Sequence, residues 1–135
     1  MDMRRFVQEQ TSTLLRRLAF RIHRVSQSGD PESLHDLRVS IRRLNEALRG
    51  FQEFFPHKKA RRVRHQLRDM MDLAAEIRNR DIAIALLRES KIPSGGTLLK
   101  TLAQDRKSAK DRLVKQLKRK DWRDVVPRWR RRLDL

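Results

Sequence analysis

Between positions 34 and 55 the chain sets Leu34, Leu37, Ile41, Leu44, Leu48, Phe51 and Phe55 three or four residues apart without a break. That spacing is the signature of a helix that buries one stripe of its surface. One position later runs a second series of the same period, His35, Arg38, Arg42, Asn45 and Arg49. At ~100° of rotation per residue it forms a polar, mostly cationic stripe beside the apolar one. A segment that carries both series must fold as a helix with one flank in a core and a row of cations next to it.

Three other segments repeat the arrangement. In the first, Leu15, Leu18, Ile22 and Val25 are the apolar positions, and Arg17, Arg21 and Arg24 follow their own stripe. In the third, Val63, Leu67, Met70, Ala74 and Ile77 form the seam, with Arg61, Arg64, Arg68 and Arg78 on the adjacent face. The fourth is less regular, with Leu99, Leu102, Ala109 and Leu113 apolar and Lys107 and Lys110 nearby. Turn signals fall between the segments: Ser28-Gly29-Asp30-Pro31, Phe55-Pro56-His57 and Ile92-Pro93-Ser94-Gly95-Gly96. A last short helix is expected from Asp121 or Asp124, with Pro127 in its first turn, where no intrahelical bond is lost. No segment alternates apolar and polar residues. The expectation is one all-α domain over residues 1–135, an up-and-down four-helix bundle with a short C-terminal helix, its main helices about 20–30 residues long. Trp122, Val125 and Trp129 share a face of the tail, which either caps the bundle or meets a second subunit.

Lys and Arg number 34 against 17 acids, a net charge of +17, while hydrophobic residues make up 38% of the chain. The apolar content is too high for a disordered basic tail, and the charge draws any polyanion nearby. With no cysteine, disulfides and thiolate metal sites are excluded. No apolar run approaches the ~20 residues of a membrane span, so no membrane partner is expected. The N-terminus has the wrong pattern for a signal peptide, which favours a cytoplasmic location.

Like charges four residues apart destabilise a helix by ~0.2–0.5 kcal/mol per pair. Asp36, Glu46 and Glu53 lie off the second-helix stripe and offset its repulsion only in part. An anion laid along the stripe relieves it, and positions 3.5 residues apart offer a cation every ~5 Å. Guanidinium forks suit phosphate oxygens because each donates two parallel hydrogen bonds. The competing account is an ordinary solvated face, weakened here because three helices carry such stripes beside their core seams. Signals for catalysis are poor. His23, His35, His57 and His65 lack metal-ligand spacing, Gly95-Gly96 lacks the Lys-Ser/Thr of a phosphate loop, and no cofactor is expected. Asp69, Asp72 and Glu76 sit among arginines, as salt-bridge acids do. Asp81 continues the third-helix seam and needs a cation, either Arg78 or an arginine of the second helix.

The run His35-Asp36-Leu37-Arg38-Val39-Ser40-Ile41-Arg42-Arg43-Leu44, continuing through Ala47-Leu48-Arg49-Gly50-Phe51, closely resembles the signature helix of the CHAD domain, the conserved histidine α-helical domain. Glu76-Ile77-Arg78-Asn79-Arg80-Asp81-Ile82 is similar to a second family segment, Arg-Asp-x-Asp-Val, with Asn79 in place of its first acid. The resemblance implies a helical, non-catalytic binder of inorganic polyphosphate, at home on polyphosphate granules. It implies a groove formed by His35, Arg38, Arg42, Arg43 and Arg49, with Arg61, Arg64, Arg68 and Arg78 facing them. The stripe residues Arg17, Arg21, Arg24, Lys107 and Lys110 complete the candidate set. Family members usually pair two four-helix bundles about a pseudo-twofold, and this chain has room for one. The expectation that follows is a homodimer whose true twofold supplies the missing half, the alternative being a fragment or a half-site binder of lower affinity. The alternative open at this stage is a helical nucleic-acid binder using backbone phosphate contacts. Few aromatics and arginines set beside the core weigh against it.

Overall fold

Five α-helices account for most of the residues that the computed structural model describes, 2–91, 95–119 and 124–135. They are α1 (Met3–Gln27), α2 (Pro31–Gly50), α3 (His57–Ser90), α4 (Gly95–Leu117) and α5 (Val125–Arg132), with a 3₁₀ turn at Gln52–Phe54. No strand occurs among the described residues. The architecture is the expected all-α bundle. Helices α1 and α2 form one antiparallel hairpin, α3 and α4 another, and α2 lies beside α3. Helix α5 packs on α1 and α3.

The seams read from the sequence are the core. Leu34, Leu37, Ile41, Leu44 and Leu48 of α2 are buried, as are Leu15, Leu18, Ile22 and Val25 of α1. Val63, Leu67, Met70, Ala74 and Ile77 of α3 close on them. Phe51 departs from the seam because α2 ends there; it caps the helix, half-buried, and the 3₁₀ turn carries the chain to the buried Phe55. On α4 burial falls on Ala109, Leu113 and Leu117, while Leu99 and Leu102 are only half-buried. The reason is length. Helix α3 has 34 residues, longer than expected and about 51 Å at 1.5 Å per residue, so its hairpin with α4 runs past the α1–α2 turn.

The tail faces inward. Val125, Trp129 and Leu133 are buried, with Trp129 1% exposed, so this face closes the bundle. Trp122 and Asp121 lie outside the described residues. Pro127 sits in the first turn of α5, and Asp124 occupies the N-cap position without a side-chain bond.

The α1–α2 turn is built by its own chemistry. Asp30 caps α2, its Oδ1 accepting the Ser33 N–H at 2.8 Å, and Pro31 follows in the first helical position. The hydrogen bonds from Ser33, foremost, hold the Asp30 carboxyl below its ordinary pKa. Gly29 is buried because the aliphatic stem of Lys110 crosses it; a Cβ there would stand 2.5 Å from Lys110 Cε. A carboxyl lowered on folding stabilises the fold above its unfolded pKa and loses that contribution as pH falls through the folded value. Asp30→Ala is therefore expected to melt below the wild type at pH 7, with the gap narrowing as pH falls below about 4. Thermal melts across pH check this, and a gap independent of pH contradicts it.

Candidate functional site

The cationic stripes of α2 and α3 face one groove because each lies one position beyond its buried seam and the two helices pack side by side. One side-chain bond sets their register: Arg64 Nε donates to Asn45 Oδ1 at 3.2 Å. Antiparallel packing from that pair carries Arg49 towards Arg61 and Arg42 towards Arg68. At the other end, Arg38 stands within electrostatic reach of both Arg78 and Arg42.

Arg38 carries two marks of electrostatic stress. Its Nε is buried and has no hydrogen-bond partner. Burial first, then the charges of Arg78 and Arg42, lower its pKa from the usual guanidinium value. A buried donor without an acceptor costs about 1–3 kcal/mol, more for a charged group. Beside it opens a cleft of about 260 Å³, lined by His35, Arg38, Arg78, Asp81, Ile82 and Ala85 with Pro31 and Leu34 beneath. It is smaller than a typical drug-sized pocket, and its lining comes from α2 and α3.

Other stripe residues go elsewhere. Arg21 Nη1 donates to Asp36 Oδ2 at 3.2 Å, tying α1 to α2. Asp36 is two residues before Arg38, so it points ~160° away around α2. Arg43 follows Asp36 by seven residues and shares that face, together with the exposed Arg17 and Arg24 of α1. The structure thus has two basic faces on either side of α2: one with His35, Arg38, Arg42, Arg49, Arg64, Arg68 and Arg78, and one with Arg17, Arg21, Arg24 and Arg43. Arg61 Nη2 lies 3.2 Å from His57 Nε2 at the start of α3. Lys110 packs over the α1–α2 turn rather than in the groove, and Lys107 is exposed on α4.

Three carboxylates of α3 are engaged. Glu76 accepts from Arg112 Nη2 at 2.7 Å, and Asp69 stands 3.7 Å from His65 Nε2. Asp81 does find a cation, but from neither expected source. Arg106 of α4 binds both its oxygens and donates to the Gly29 carbonyl at 2.8 Å. This clamp fastens the α1–α2 turn to the α3–α4 hairpin and fixes the end of the groove that holds His35 and Arg38. The sequence carried its signal: Arg106 sits three residues before Ala109 on the inward face of α4, where a cation needs an acid opposite. Among the described residues no three His, Asp or Glu side chains gather closely enough to hold a metal ion. No helix of the structure is long and apolar enough to cross a membrane.

A helical bundle with guanidinium groups aligned between two helices, one of them with a buried Nε that lacks an acceptor, has the makings of an anion-binding module. The chain belongs to the CHAD domain family, whose model matches residues 9–135. CHAD domains as a class bind polyphosphate and are non-catalytic. Neither the search of curated proteins nor that of solved structures returned a match.

Removing the strained charge tests the electrostatics without any ligand. Arg38→Met is expected to raise the melting temperature of the anion-free protein at low ionic strength. The gain should shrink in ~0.5 M salt, where the Debye length falls to a few ångströms. Melting temperatures at the two salt concentrations check this. A loss of stability at low salt contradicts the picture of an uncompensated cation.

Proposed function

We propose that this chain binds inorganic polyphosphate in the α2–α3 groove and holds it without acting on it. The observation that carries the reading is Arg38, whose buried Nε lacks an acceptor while Arg78 and Arg42 crowd it. A phosphate oxygen held by the outer nitrogens of Arg38 relieves the repulsion, and a turn of the side chain towards it gives Nε the acceptor it lacks. Arg42, Arg68, Arg64 and Arg49 continue the track at helical intervals, which suits a linear anion with a charge on every unit. His35, exposed at the mouth of the cleft, adds a donor.

The Arg17, Arg21, Arg24 and Arg43 face is a secondary attractor in this reading. Asp36 neutralises part of it, and its cations have solvent available in place of an anion. Two copies of the chain form the binding unit, the second supplying the other half of the site. The setting is cytoplasmic, where polyphosphate granules supply the ligand.

Charge reversal within and outside the groove separates a site from diffuse attraction. A charge-assisted contact contributes ~1.5–3 kcal/mol, so Arg42→Glu should weaken polyphosphate binding about ten-fold or more at fixed salt. Arg131→Glu, exposed on α5, changes net charge equally and should cost far less. Titration calorimetry of both variants reads this, and equal losses sink the proposal. In competition at the same salt, duplex DNA should displace bound polyphosphate poorly per phosphate. If it competes equally, the groove is a general phosphate-backbone binder.

A further inference from the structure

The outer end of the α3–α4 hairpin is built like an interior and left uncovered. Residues 82–87 read Ile-Ala-Ile-Ala-Leu-Leu, six apolar positions in a row that span every side of α3. A helix apolar all round is one that expects burial all round. Here α4 covers one side only. Burial on α3 ends at Ile77, and on α4 it starts at Ala109. Beyond those points Ile82 is 45% exposed, Leu86 60% and Leu98 49%.

Charge is distributed the other way. Residues 82–91 and 95–105 carry Arg88, Lys91 and Lys100 against Glu89 and Asp105, three positive less two negative, or +1. Positions 92–94 carry none, so the remainder of the chain holds 17 − 1, or +16. The end of the hairpin is therefore an apolar region that another highly basic molecule can approach without strong repulsion. It also lies at the extremity of the bundle, so contact there keeps the two basic bodies apart.

We propose that this hairpin end is a self-association surface that takes a second copy of the chain. Two such hairpins meeting about a twofold complete a small four-helix layer from identical apolar ridges. Ile82 and Leu86 follow Arg78 at four-residue steps, on the face of α3 that lines the groove, and Ile82 lines the cleft itself. The association therefore brings the open ends of two basic grooves together, lengthening the track offered to a linear anion. This deepens the two-copy reading above by naming its surface.

The test uses the full chain without polyanion, so its failure leaves the groove reading standing, and failure of polyphosphate binding leaves this one standing. Sedimentation velocity in ~0.5 M salt, which screens body-to-body repulsion, should show the wild type moving from its 16.2 kDa monomer towards twice that mass as concentration rises. Leu86→Glu should weaken self-association at least about ten-fold, because it removes a buried leucine from each copy. Its circular dichroism should match the wild type, since Leu86 supports no core contact in the monomer. A separate variant, Ile82→Lys, should do the same. A wild type that stays monomeric at about 200 µM overturns the proposal. So does a dimer untouched by both substitutions, or a monomer whose hairpin end instead binds phosphatidylcholine vesicles.

Discussion

Repulsion among cations that the core holds in line is the constraint on which this structure turns. Helix α2 cannot bury Leu34, Leu37, Ile41, Leu44 and Leu48 without also fixing Arg38, Arg42 and Arg49 on one flank, because the two series share a backbone and a period. Helix α3 does the same with Arg64, Arg68 and Arg78. Burial of the two seams, at ~25 cal/mol per Å² of apolar surface, is strong enough to bring these stripes together. The fold thus assembles a row of like charges that no local preference favours, and the stress shows at Arg38, whose Nε is buried without an acceptor.

The rest of the architecture supports that row. The Asn45–Arg64 bond sets the register of the two flanks. The Asp81–Arg106 pair, with the Gly29 carbonyl, locks the open end of the groove to the α1–α2 turn. Neither contact neutralises a cation of the stripe that the groove needs. Asp69, Glu76 and Asp81 of α3 instead serve His65, Arg112 and Arg106, and of the three Asp81 lines the cleft. Asp81, the acid at the cleft, is held by Arg106, so it forms no ion pair with Arg38 or Arg78.

Much of this was legible in the residues. A period of three and four is a direct imprint of helix geometry, so the seams of α1, α2 and α3 and the stripes beside them could be read before any coordinates. What pattern alone does not convey is which neighbour each face meets. Arg43 belongs to the same helix and the same motif as Arg42, yet one residue of rotation sends it to the α1 side with Asp36 and Arg21. Asp81 announced a need for a cation, but its partner lies 25 residues away on α4, chosen by the hairpin register. The half-buried state of Leu99 and Leu102 likewise follows from the relative lengths of the two hairpins, which only the packed structure settles. Trp129 turned inward because α5 folds back on α1 and α3, a tertiary choice with no local signature.

In the proposed function the Arg38 guanidinium is the group that receives the anion. The most direct measurement is the arginine Nε–H region of a nitrogen–proton correlation spectrum during titration with long-chain polyphosphate. The Arg38 Nε–H signal should move strongly downfield and become protected from exchange at substoichiometric anion, with Arg42, Arg68 and Arg78 following and Arg17, Arg24 and Arg131 nearly still. Uniform small shifts across all arginines, with Arg38 no different from the rest, would contradict it.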